Sequence, residues 1–122
     1  MPTEDKKLNV LLVEDEATLM QVVGESIAQL GHTVTHRAEG LEDALARATE
    51  GGFDVAMLDV NLNGADSFAV ADVLTERGIP FVFTTGFGAD HLPERFRASP
   101  LMEKPFRLRD IGNALSRMAE SV

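Results

Sequence analysis

The chain has 122 residues, with 11 basic and 20 acidic side chains, a formal net charge of −9 and no cysteine. That length fits one domain burying roughly two-thirds of its unfolded surface, and the lack of cysteine excludes disulfides and thiolate metal sites and favours a cytoplasmic address. The acidity excludes the basic face of a nucleic-acid binder, no apolar run approaches the roughly 20 residues that span a bilayer, and the polar opening MPTEDKK is no secretory signal.

Apolar runs of strand length alternate with helix-period segments about five times. Leu8 to Val13 is the first run, and Gln21 to Leu30 then carries Val23, Ile27 and Leu30 at helical spacing before Gly31. Thr33 to His36 predicts a short strand. Leu41, Ala44, Leu45 and Ala48 mark one face of a second helix that closes at Gly51-Gly52. Val55 to Leu58 is the next strand, and Gly64 to Arg77 reads as a third helix before Gly78. Ile79 to Phe83 follows as a strand. Thr85 to Ser99 carries two glycines and Pro93, with only Leu92 and Phe96 as an apolar stripe, and so predicts a loop with at most a short, poorly packed helix. Pro100 to Met102 is a fifth short strand, and Leu108, Ile111, Leu115 and Met118 mark a final amphipathic helix. Nearly continuous apolar strands separated by helices imply a parallel sheet covered on both faces, and right-handed crossovers limit it to a few doubly wound orders.

In such a sheet, ligands sit beyond the carboxyl ends of the strands, and here those ends carry the chemistry. The first run leads into Glu14, Asp15 and Glu16, the third into Asp59, the fourth into Thr84 and Thr85, and the fifth into Glu103, Lys104 and Pro105. Carboxylates this close repel one another unless a hard cation neutralises them, and Mg²⁺ needs only one or two of them beside waters and phosphate oxygens. With the metal in place, Asp59 can attack a phosphoryl group to give an aspartyl phosphate. Lys104, the metal and a threonine hydroxyl then meet the charge on its oxygens. Alone, each piece is ordinary: a solvated acidic turn, a Lys-Pro strand end, a Thr-Thr-Gly turn. Their joint occurrence at four strand ends is not. Asp59-Val60-Asn61-Leu62-Asn63-Gly64 also matches half of a calcium loop, but Val70 stands where the bidentate glutamate is required. His32, His36 and His91 are scattered and receive no role.

From about Leu8 to Met118 the chain resembles the receiver domains of two-component response regulators. The resemblance rests on Val-Glu14-Asp15-Glu, Asp59-Val-Asn61-Leu, Phe83-Thr84-Thr85-Gly86 and Glu103-Lys104-Pro105-Phe106. It implies a flavodoxin-like (βα)5 fold with strand order 2-1-3-4-5, a single domain over 1–122, and Mg²⁺ or Mn²⁺ as the metal. Asp15 and Asp59 would be direct ligands, with the backbone carbonyl of Asn61, and Glu14 would act through water. Asp59 would be the phosphoacceptor, Thr85 the switch hydroxyl and Lys104 the ammonium, with a cis peptide bond before Pro105. Leu101 stands where receivers usually carry an aromatic residue, which weakens the usual threonine–aromatic coupling. The stretch from Pro80 to Phe87 looks like the FAT-GUY receiver subgroup, with Thr84 in place of alanine. Such receivers are often single domains with a loosened fourth helix, in line with the weak stripe after Thr85. Phe87, two residues past Thr85, is expected to shield the aspartyl phosphate from water, or else merely to pack on its loop.

The resemblance further implies phosphoryl transfer from a sensor histidine kinase or a histidine phosphotransfer protein. Unless the chain is a piece of a longer regulator, no output module is expected after the last helix. The expected action is therefore a phosphorylation-dependent protein contact, made by a monomer or weak dimer, or service as a phosphate sink in a bacterial cytoplasm. Two rival readings are an aspartyl-phosphate phosphoesterase and a degenerate adaptor. The first wants a second acid where Asn61 stands, so no enzyme activity is expected beyond self-phosphorylation and slow self-hydrolysis. The second would not need the phosphorylation residues that are all present.

Overall fold

A computed structural model describes residues 6–88 and 91–122. The first strand, β1 (Asn9–Val13), is followed by α1 (Ala17–Gln29), β2 (Thr33–Ala38), α2 (Leu41–Glu50) and β3 (Val55–Asp59). A two-stranded hairpin, β4 (Asn61–Leu62) and β5 (Ala65–Asp66), leads into α3 (Phe68–Glu76). The chain then forms β6 (Phe81–Thr85), a 3₁₀ turn over Glu94–Phe96, β7 (Leu101–Glu103) and α4 (Leu108–Ala119). The parallel sheet has the order β2-β1-β3-β6-β7, the doubly wound order expected once the hairpin is set aside.

The unbroken apolar runs follow from burial on both faces. Along β1 and β3, Val10, Leu12, Val55 and Met57 point to one side, where Met20, Val23 and Ile27 of α1 and Ile111, Leu115 and Met118 of α4 cover them. Leu11, Val13, Ala56 and Leu58 point to the other, against Ala44 and Ala48 of α2 and Val70, Ala71 and Leu74 of α3. Helix α1 begins four residues before Gln21, because Ala17, Leu19 and Met20 are good helix formers placed ahead of the apolar stripe. It closes where expected: Gly31 takes φ 92° and His32 N–H donates to Ile27 C=O at 3.1 Å.

Two expectations are corrected. Helix α3 begins at Phe68, not Gly64, because Asn63 and Gly64 adopt φ 55° and 89° and close the β4–β5 hairpin. An Asn-Gly pair is a strong hairpin signal, since both central residues of such a turn take positive φ. The loop after β6 contains a short 3₁₀ turn at Glu94–Phe96, as expected, but it is not poorly packed. Phe96 is 4% exposed and lies 5.4 Å from the Phe83 ring, 5.9 Å from Phe68 and 6.3 Å from Phe81. Ala89 and Asp90 of that loop, and the first five residues of MPTEDKK, lie outside the described residues.

This aromatic cluster does the work of a fourth helix, pinning the loop to the sheet through Phe96 beside the equally buried Leu92. Phe96→Ala should therefore cost about 3–5 kcal/mol, read from urea unfolding followed by circular dichroism. A loss below about 1 kcal/mol would show that the loop is held by something else.

Candidate functional site

The parallel register delivers the polar strand ends side by side. Val13 pairs with Leu58, Asp59 with Thr84, and Thr85 with Glu103. One residue past each ladder, Glu14 N–H donates to Ala38 C=O at 3.0 Å and Lys104 N–H to Thr85 C=O at 2.7 Å, so both side chains leave the sheet from fixed backbone. The Lys104–Pro105 peptide bond is cis, as expected.

The Lys104 ammonium donates to Asp59 Oδ2 at 2.8 Å and lies 3.2 Å from Glu14 Oε1. Glu14 and Asp59 are 3% and 4% exposed, so this contact sits where an unpaired charge is expensive. Burial works against the lysine's charge, but the Asp59 bond, the Asp59 charge and Glu14 outweigh it and hold the ammonium above its ordinary pKa. For Glu14, burial dominates. Aided by the Asp59 charge, it pushes the carboxyl from 4.5 up to about 7, against the pull of the Glu16 N–H and of Lys104. Burial also raises Asp15, but hydrogen bonds from the Asn63 N–H and from Glu14 prevail and hold it below the usual carboxylate range.

Among the described residues, carboxylate oxygens of Glu14, Asp15 and Asp59 all lie within 4.8 Å of one another. Three carboxylates against one ammonium leave two negative charges when all are ionised. Oxygen donors with that excess suit a hard dication, and Asp15 and Asp59 line the same cavity as Asn61.

The loops hold these groups in place. Ser67, fully buried and unnoticed in the sequence, donates its hydroxyl to Asp59 C=O at 2.6 Å. Asn63 N–H binds Asp15 Oδ2 at 2.9 Å, and Asn61 N–H binds Asp59 Oδ1 at 3.1 Å, so the hairpin clamps two of the acids. Asn-Gly could have signalled that clamp, whereas nothing in the sequence marks Ser67. Thr85 Oγ accepts the Phe87 N–H at 3.0 Å.

A cavity of about 400 Å³ opens at this edge, lined by Asp15, Asp59, Asn61, Thr85, Phe87 and Lys104 together with Asp66, Phe68 and His91. Glu14 and Thr84 are buried behind it and do not line it. Leu101 is half-buried in register with Phe83, packs against the core that holds Phe83 and Phe96, and does not line this cavity. Pro105 borders a third pocket with Leu19 and Phe106. His91, given no role by its spacing, stands at the cavity with its ring 5.0 Å from that of Phe87.

The sequence profile described as Response regulator receiver domain matches residues 10–116. The solution structure of SdrG from Sphingomonas melonis Fr1 is 37% identical, with 97% of this chain and 98% of that one covered at a TM-score of 0.81. SdrG is also known in a BeF3-activated conformation. The transcriptional regulatory protein TcrA of Mycobacterium tuberculosis is 31% identical over 111 residues, which is 85% of this chain but 43% of TcrA. The chain thus spans less than half the length of that relative. The receiver domain of the sensor histidine kinase PA1611 from Pseudomonas aeruginosa is 21% identical, covers 93% of this chain and 98% of that one at a TM-score of 0.80, and has magnesium in its active-site cleft.

A carboxyl whose folded pKa lies above its unfolded value favours the folded state at low pH, and that preference is lost as pH rises through the folded value. In chelator, the melting temperature should therefore fall as pH climbs from about 5 through about 7, the region set by Glu14. Glu14→Gln should flatten that segment, and MgCl₂ should raise the midpoint more at about pH 8 than at about pH 5.5. Identical profiles for the two proteins would show that Glu14 does not carry the effect.

Proposed function

The chain belongs to the receiver domains of two-component response regulators, and from that premise we propose that Asp59 accepts a phosphoryl group from a phosphohistidine. The observation that carries the proposal is the Lys104 ammonium, held 2.8 Å from Asp59 at the end of β3. A phosphoryl group arriving at Asp59 would bring its oxygens within reach of that ammonium, which has three protons to donate. Thr85, whose hydroxyl oxygen accepts from Phe87, keeps its own proton to donate to a second oxygen. Asp15, Asp59 and the Asn61 carbonyl would hold Mg²⁺ or Mn²⁺, with Glu14 acting through water. When bound, the cation supplies positive charge to the remaining phosphoryl oxygen.

Support comes from the neighbours. SdrG is known in a BeF3-activated conformation, and the PA1611 receiver has magnesium coordinated in its own active-site cleft. The donor would be a sensor histidine kinase or a histidine phosphotransfer protein in a bacterial cytoplasm. The output would be a phosphorylation-dependent protein contact made by the loop after β6, β7 and α4, where a groove of about 300 Å³ includes Leu101, Phe106 and Arg117. A phosphate sink is the simpler variant of the same chemistry. Turnover of phosphoesters is not proposed. Asn61 stands where a general acid would be wanted, and its side-chain oxygen is engaged by Gly64 N–H at 2.9 Å in the hairpin turn.

Incubation with MgCl₂ and acetyl phosphate should add one phosphoryl group by intact mass. The adduct should vanish with chelator and in Asp59→Asn, and Lys104→Ala should slow its formation roughly a hundredfold. Release of many equivalents of phosphate would instead mark a phosphoesterase, and no adduct at all would mark an adaptor.

A further inference from the structure

The cavity beside Asp59, about 400 Å³, is lined by more than the polar groups that a phosphoryl group and a cation would use. Much of the remaining wall is built of rings. Phe68, Phe87 and His91 all line it. Phe68 is braced from behind, stacked on Phe96 at 29° with centroids 5.9 Å apart. Phe87 is the most exposed large apolar side chain among the described residues, at 61%. Its N–H is tied to Thr85 Oγ, and its ring meets that of the exposed His91 at 49°.

We propose that Phe68, Phe87 and His91 form an aromatic subsite that receives the planar imidazole of the phosphodonor, next to the phosphoryl position at Asp59. The proposal rests on Asp59 as phosphoacceptor and deepens it, since it assigns the leaving group a place. An Asp59 carboxylate oxygen forms the new P–O bond while the P–N bond breaks, and its electron pair stays on the ring nitrogen. A donor ring protonated at its other nitrogen then departs as neutral imidazole, so no further reactant is required. Ring faces favour a flat heteroaromatic leaving group over a small acyl one, because offset or edge contacts reward area and geometry together.

The test compares two donors that deliver the same phosphoryl group, monophosphoimidazole and acetyl phosphate. Both Phe87 and His91 are exposed, so Phe87→Ala and His91→Ala should fold, which circular dichroism checks. Each substitution should slow phosphorylation by monophosphoimidazole roughly three- to tenfold while changing the acetyl phosphate rate less than twofold, and Phe87→Tyr should restore the imidazole rate. Equal losses with both donors, or no loss with either, would overturn the subsite. Absence of any adduct on the unmodified protein with either donor would overturn Asp59 as the acceptor instead, and the subsite with it.

Discussion

One ammonium, that of Lys104, sits between two buried carboxylates, 2.8 Å from Asp59 and 3.2 Å from Glu14. Three strands must end in the right register for that contact to exist, and β1, β3 and β7 supply one partner each. The apolar packing on both faces of the sheet fixes the register, because a one-residue slip in any strand would turn its buried side chains to the wrong face. The charge contact is therefore a consequence of the core. It adds little stability of its own, since a buried ion pair roughly offsets its desolvation cost. What it provides is a positioned cation beside a positioned nucleophile.

The pair is also left incomplete. Asp15 joins Glu14 and Asp59 within 4.8 Å, and one lysine cannot balance all three. The surplus is expressed in Glu14, whose carboxyl burial drives up to about 7. A domain built only for stability would have no reason to bury that excess, whereas a domain that takes up a dication, whose charge can then offset a phosphoryl dianion, needs it. The hairpin and Ser67 serve the same end, fixing Asp15 through Asn63 and the backbone of Asp59 through a 2.6 Å hydroxyl bond.

Much of this was legible in the sequence because the signals are local. Runs such as Val-Ala-Met-Leu, alternating with helix-period segments, read as strands buried on both faces, and the residues just past them, Asp59 above all, then fall at one sheet edge. Asn63-Gly64 announces the β4–β5 hairpin, but the polar turn runs directly into the helical periodicity of α3, which hides the boundary between them. Ser67 and His91 were not legible at all. Their roles depend on where two loops meet in space, and neither has a spacing that marks it. Phe96 lay between these cases: its apolar character was visible, but the cluster with Phe68, Phe81 and Phe83 exists only after the sheet and α3 assemble. Leu101 packs against the core that holds Phe83 and Phe96 and does not line the cavity. Thr85 and Phe87 do line the site, joined by the Phe87 N–H donated to Thr85 Oγ.

The account stands or falls on whether the Asp59–Lys104 edge receives a tetrahedral anion with the help of a cation. The most direct measurement is ¹⁹F and ¹H–¹⁵N NMR of the protein titrated with beryllofluoride, with and without MgCl₂. The account predicts protein-bound fluorine signals only when Mg²⁺ is present, accompanied by amide shifts centred on Asp59, Thr85, Phe87 and Lys104. Free fluoride species alone, with amides unmoved at saturating Mg²⁺, would contradict it.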